Sequence, residues 1–301
     1  MDFPTPHLEK LTKTLENEKL PRADQPRIEA AIERYRKWIG YSENIEGVPD
    51  EVLERMVGLM AEYKLYIDIE LIFDSPEDFL YRQKGQLKLD NSIIEEFLPR
   101  LVVKYLQPNT NLHLGPTKCF SEASFTSTLD NALVGGGLHI RTKDHDFAIS
   151  RKIFIQTSYD SDFTRKATSE TFIAYVVAEC KTNLDKTMFQ EASATAHDVK
   201  SAVAGEKYFL LVEWLDMTPL STAATDIDEV LILRKAKRLN SNIRSRYYIR
   251  ENRQRERQSY LDFLNSHPFS PDIFKRFVSH IIKMISNEEP EEESVLKKGY
   301  F

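Results

Sequence analysis

The sequence predicts an α/β protein: a central mixed β-sheet flanked by helices, with helical extensions at both ends. Three observations carry this. The run Phe172 to Ala178 is β-branched, aromatic and small apolar, as in a fully buried strand, and it leads through a helix-periodic stretch into a second apolar run, Lys207 to Trp214. Strand, helix and strand within about forty residues make a βαβ unit with a right-handed crossover. A further strand pattern, Asp146 to Thr157, precedes it across the polar stretch Ser158 to Glu170, the layout of a hairpin. Both ends of the chain keep helical spacing instead.

Taken in order, residues 1 to about 66 read as helices that serve as scaffold or partner contacts. Ile28, Ala31, Ile32, Tyr35, Trp38 and Ile39 form one apolar stripe, and Val52, Leu53, Met56, Val57, Met60 and Tyr63 a second. Tyr66 to Phe73 fits either a strand or the end of the second helix. Asn91 is placed to cap a helix carrying Ile93, Ile94, Phe97, Leu98, Leu101, Val102 and Tyr105, kinked or broken at Pro99. Leu114 to Arg141 is turn-rich, and Gly135-Gly136-Gly137 reads as a flexible turn before a strand at Leu138; no GK[ST] follows, which excludes a P-loop. Within the βαβ unit, Asn183 caps the helix, Leu184, Met188, Ala192, Ala196, Val199 and Val203 form its stripe, and Gly205 stops it. Asp216 to Asp228 is a loop and Glu229 to Leu233 the last strand, followed by a basic segment of helical composition. Pro268 and Pro271 mark a break before an amphipathic helix built on Ile273, Phe274, Phe277, Val278, Ile281, Ile282 and Ile285. Glu288 to Glu293 is a like-charge run, read as a disordered tail.

Composition narrows the function classes. A chain of 301 residues with 41% hydrophobic and 29% charged residues buries a sizeable core in one or two domains. No apolar run reaches the roughly 18 residues of a membrane span, and the N-terminus lacks a signal-peptide pattern, so a cytoplasmic protein with no membrane partner is expected. Cys119 and Cys180 give no disulfide framework and no zinc spacing. His113, His139, His145 and His197 lack HExxH spacing, and GxSxG is missing, so zincin and serine-hydrolase chemistry have no support. The net charge is −6, yet Arg234 to Arg257 alone is +8, leaving −14 for the rest, a distribution suited to a phosphate-binding surface.

The chemistry-bearing residues sit where the buried strand ends. Glu179 and Lys181 share one face of it, and Cys180 takes the other. Ionised groups at the tip of a core strand need compensation, which a divalent metal and a phosphate would supply. Hairpin pairing sets Thr157 opposite Thr168 and Asp146 opposite Glu179, whereas Asp160 and Asp162 lie in the turn, roughly 30 Å away. Asp146 is therefore the second carboxylate. Asp146 followed by Glu179-x-Lys181 resembles the PD-(D/E)xK nuclease core, with His145 instead of proline before the aspartate. The runs Glu77 to Asn91, Ile94 to Pro99, Ala178 to Ala192 and Asp226 to Arg234 are similar to the BbvCI family of heterodimeric Type II restriction endonucleases, over roughly residues 75 to 235.

That resemblance implies a Mg²⁺-dependent DNA endonuclease. Asp146, Glu179 and the Cys180 carbonyl would be metal ligands, and Asp146, Glu179 and Lys181 the catalytic set. Glu95 or Glu96 would hold a water at the metal, and Gln190 would support the site. It further implies double-stranded DNA as substrate and a homologous second subunit, each subunit cutting one strand of an asymmetric sequence. Arg82, Lys84 and Lys88 in the aromatic- and amide-rich stretch Phe79 to Lys88 are expected to contact DNA, as are Arg244, Arg246, Arg250 and Arg253 in the basic segment. The domain expectation is 1–87 mainly helical, 88–235 the catalytic core, and 236–301 basic and helical. A homodimeric repair nuclease with the same core and a non-catalytic DNA-binding subunit are the alternatives.

Overall fold

Proline is the first or second residue of each of the first three helices, where its fixed φ and missing N–H cost nothing: α1 (Pro6–Leu15), α2 (Gln25–Glu43) and α3 (Pro49–Tyr66). The computed structural model describes residues 3–106, 111–126, 133–285 and 292–299. Tyr66 to Phe73 is no strand: α3 continues into a π-helical turn, Ile67–Phe73, with Ile67, Asp68, Ile69, Leu71, Ile72 and Phe73 buried. The stretch after it forms a short helix, α4 (Phe79–Leu87), ended by Lys88 in the left-handed conformation at φ 51°. A lysine there hides the stop signal that glycine normally gives. Helix α5 (Ser92–Val102) runs through Pro99 without a break and is buried along its whole length.

Among the described residues the sheet has five strands in sequential order: β1 (His113–Phe125), β2 (Leu138–Ser158), β3 (Lys166–Leu184), β4 (Lys207–Leu215) and β5 (Glu229–Ile232). β1–β2 and β2–β3 pair antiparallel, β3–β4 and β4–β5 parallel, so the sheet is mixed as expected. Three corrections apply. Leu114 to Phe125 is strand, not turn, with its ladder to β2 interrupted between Gly115 and Thr117, around Pro116. The β2–β3 arm is longer than its apolar stretch, because Lys166 to Glu170 also pair. Helix α6 (Lys186–Ala202) is capped by Asp185, whose Oδ1 accepts from Met188 N at 2.8 Å. Asn183 does not cap it, since β3 still pairs with β4 there, Asn183 beside Trp214 and Leu184 beside Leu215.

Strand alternation divides the core. Phe147, Ala178, Cys180, Phe209 and Leu211 face a large cluster that also holds α5 and α9 (Pro271–Ile285). Ala148, Val177, Tyr208, Leu210 and Val212 face α6 with Phe189, Ala192, Ala196 and Val199. The ring of Phe277 on α9 lies 5.9 Å from that of Phe147 and 5.4 Å from that of Phe209. Where β4 ends, a buried ion network ties sheet to helix: Lys64 Nζ is 2.6 Å from Asp68 and 3.2 Å from Glu213, which also accepts from Arg234 Nε at 2.8 Å. The basic segment becomes α7 (Ser241–Arg246) and α8 (Arg250–Ser266). The acidic run 288–293 lies outside the described residues up to 291, and its last two residues open α10 (Glu292–Lys298) instead of a disordered tail. Among the described residues no helix is long and apolar enough to cross a membrane.

Candidate active site

The β2–β3 ladder pairs Phe147 with Ala178, so Asp146 stands across from Glu179 one step further along. A bulge between Ile149 and Ser150 moves the outer arm by one residue, and Thr157 meets Ala167 instead of Thr168. Asp146 is tied directly to the Glu179-Cys180-Lys181 tripeptide, accepting on Oδ2 from Cys180 N at 2.9 Å. Lys181 Nζ lies 3.0 Å from Glu179 Oε2, and the hydroxyl of Tyr208 on β4 donates to Glu179 Oε1. Both carboxylate oxygens of Glu179 are therefore engaged. The Cys180 side chain is buried in the α5-facing core, as alternation requires, while its carbonyl accepts from Asn91 Nδ2 at 2.8 Å. That bond takes one of the carbonyl's two acceptor positions.

Of the two glutamates on α5, only Glu95 turns toward this site. It is buried, accepts from Asn91 Nδ2 at 3.3 Å, and has its pKa pushed up to about 7 by burial and then by the Asp146 charge. Glu96 points the other way, accepting from His7 N at 2.9 Å and from the Tyr35 hydroxyl, with Arg100 beside it. Burial also raises Asp146, opposed by the Cys180 N–H, Lys181 and Lys88, with Glu179 adding to the rise. For Lys181 burial works downward, but the charge and hydrogen bond of Glu179, and then Asp146, bring its pKa above the usual value. His145 is buried, neither ring nitrogen has a partner among the described residues, and burial lowers its pKa to about 4. Among the described residues no three His, Cys, Asp or Glu side chains converge as a metal cage.

A cleft of about 440 Å³ opens here, with Asp146, Cys180 and Lys181 on one side and Tyr81, Arg82, Lys84 and Lys88 from the α4 region on the other. Arg238 and Tyr248, both from the basic segment and its interleaved aromatics, also line it. Glu179 is not among the lining residues, and Gln190 is exposed on α6 and lines nothing here. Arg82 remains half exposed although it donates to Asp78 and to the Tyr248 carbonyl, Lys84 stacks 4.5 Å above the Tyr81 ring, and Lys88 is exposed.

The basic segment requires a correction. Arg253 is 1% exposed and donates to the carbonyls of Phe73, Ser75, Glu77 and Tyr247 and to Asp78 Oδ1, so it has no surface to offer DNA. Arg244 donates to the Leu239 carbonyl at 2.9 Å and lies 3.5 Å from Asp216, and Arg246 is paired with Glu256 at 2.9 Å while staying exposed. Arg250 is exposed at the start of α8. Tyr208 and Asn91, which hold the tripeptide from either side, were missed by sequence reasoning. The parallel β3–β4 pairing, which sets Tyr208 beside Val177 on the Glu179 face, was the one signal for the tyrosine; for Asn91 there was none.

A family model described as Bpu10I restriction endonuclease matches residues 86–301. No curated protein sequence matches the chain. Among solved structures, a chain of the "native BbvCI A2B2 tetramer at low resolution" superposes with a TM-score of 0.63 at 18% identity, covering 96% of this chain and 100% of that one. At that identity the likeness is one of fold.

Proposed function

The chain belongs to the Bpu10I restriction endonuclease family, and from that membership we propose that it is a catalytic subunit of a Type II enzyme with a PD-(D/E)xK site, hydrolysing one strand of an asymmetric DNA sequence with Mg²⁺. The observation that carries this is the strand register that sets Asp146 across from Glu179, with Lys181 Nζ 3.0 Å from the latter. The residues fit such an ion. The donors are hard oxygens, which suits magnesium, and the acidic groups are close enough to feel one another: beyond the effect of burial, Asp146 raises the pKa of the buried Glu95, and Glu179 raises that of the partly buried Asp146. Asp146 and Glu179 would hold the ion, with the remaining acceptor position of the Cys180 carbonyl available to it. When bound, magnesium supplies Lewis-acid polarisation of the scissile phosphate. Lys181 orients the attacking water and stabilises charge growing on the phosphate oxygens, and Glu95 accepts a hydrogen bond from that water. Attack in this arrangement leaves a 5′-phosphate and a 3′-hydroxyl.

Arg82, Lys84 and Lys88 face Asp146 and Lys181 across the cleft, which supports α4 as the DNA-facing wall; Arg246 and Arg250 are open to phosphates further along. In this reading residues 88–235 carry catalysis, and 1–87 and 236–301 supply DNA and subunit contacts. The A2B2 assembly of the structurally similar protein supports a homologous second subunit that cuts the other strand. A plasmid assay with Mg²⁺, run with and without a co-expressed homologous subunit, tests the proposal. Nicking at one fixed site by this chain alone, and double-strand cleavage with the partner, is the expected result. Structure-selective cutting, or binding with no cutting in either arm, overturns it.

A further inference from the structure

We infer that Tyr208 is a positioning residue for the metal site, its hydroxyl holding the Glu179 carboxylate in the orientation that keeps the second carboxylate oxygen against Lys181. The inference rests on the metal-site reading above and adds a residue outside the Asp…Glu-x-Lys pattern. Tyr208 is completely buried in the cluster between the sheet and α6, and its hydroxyl, which needs a partner in such a place, finds the carboxylate.

Its own backbone is fixed as well. Tyr208 N donates to Asp228 Oδ2 at 2.8 Å, and Asp228 is in turn held by Lys200 and by Lys207. The donor is thus carried by a fully buried residue on a paired strand in a packed core, not by a surface side chain free to swing. Glu179 itself stands in the last third of β3, and a glutamate side chain has three torsions to be fixed. Without the hydroxyl, Lys181 alone would restrain the carboxylate, and Lys181 is the group required to turn toward water and phosphate. Tyr208 therefore separates the two tasks: it orients the ligand, which leaves the lysine available for the reaction.

A structural role and a positioning role predict different results. Tyr35, which donates in the same way to the buried Glu96 away from the site, provides the control. Mn²⁺ binding to the full chain, followed by the electron paramagnetic resonance of the free ion, compares wild type with Y208F, Y35F, Y208H and E179A. Loss of an outer-shell partner typically weakens a metal site ~10-fold or more. Y208F is expected to weaken Mn²⁺ binding by that factor, Y35F to leave it at the wild-type value, and Y208H, which keeps a ring donor, to fall between. Wild-type affinity in Y208F, or equal weakening in both phenylalanine variants, overturns the role of Tyr208. Should Y208F fail to fold, Y208H measured against Y35F decides: affinity no weaker than that of Y35F overturns the role, and an intermediate loss sustains it. Wild-type affinity in E179A overturns the metal-site reading itself, so the two failures are told apart.

Discussion

Glu206 lies in the turn between α6 and β4, 3% exposed, with no hydrogen-bond partner for either carboxylate oxygen among the described residues. Burial pushes its pKa up to about 8, with Lys200 working against the rise and Asp228 adding to it. A carboxyl that holds its proton in the folded chain up to about pH 8 but releases it near 4.5 when unfolded makes folding less favourable as pH climbs between those values. At about 1.4 kcal/mol per pH unit, the full cost is about 5 kcal/mol, an upper bound because the turn can open to water before the charge is buried. That is a large share of the roughly 5–15 kcal/mol that stabilises a typical domain. The replacement Glu206→Gln keeps the shape and removes the titration. Urea denaturation of both proteins at intervals from pH 5 to 9 measures the difference. The variant is expected to match wild type near pH 5, to gain on it steadily, and to level off above pH 8. Parallel pH profiles, or a variant less stable at every pH, would refute the reasoning.

Lys181→Ala should lower cleavage by at least ~100-fold while a gel shift in Ca²⁺ still shows DNA binding; full residual cleavage would remove the lysine from the mechanism. Arg253→Met removes a buried guanidinium from its part-buried pair with Asp78 and leaves four carbonyls without their donor, so a stability loss of about 3–5 kcal/mol is expected in urea denaturation. A fall in DNA affinity without that loss would return Arg253 to the surface role. Phe277→Ala, which empties the space between Phe147 and Phe209, should cost about 3–5 kcal/mol; a change in melting temperature no larger than that of a surface substitution would contradict the packing described.

The sheet was readable where its strands carry unbroken apolar runs buried on both faces. Strand β4 and the Val176 to Ala178 core of β3 met that condition, and so did Phe147 to Ile149 beside Asp146. Strand β1 did not: its outer residues are exposed and its ladder is broken around Pro116, so neither strand alternation nor helical spacing emerges. The end of α4 was hidden because Lys88 adopts a left-handed conformation usually left to glycine or asparagine. Asp185 displaced Asn183 as the cap because strand pairing through Leu184 outweighs a two-residue-earlier helix start. In the candidate site, Asp146, Glu179 and Lys181 were legible as residue types at a spacing. Their supports were not, because Asn91 and Tyr208 reach the tripeptide only through tertiary packing.

The basic segment shows why charge counted along a chain differs from charge presented at a surface. Its +8 excess is largely neutralised at the level of contacts: Arg234 is buried against Glu213, Arg253 against Asp78, Arg238 and Arg244 converge on Asp216, and Arg257 is held by Asp74. Fastening α8 to the π-helical turn through Arg253 and Arg257 also fixes the wall that carries Tyr248, and Tyr248 with Arg238 lines the cleft. The arginines thus shape the cleft from behind while the α4 region lines it from the front. A segment selected for binding phosphate and one selected for bracing the structure that binds it have the same composition. They differ in the acceptors: backbone carbonyls and buried carboxylates already take up the donors of Arg253 and Arg234, whereas Arg250 at the start of α8 stays open to solvent.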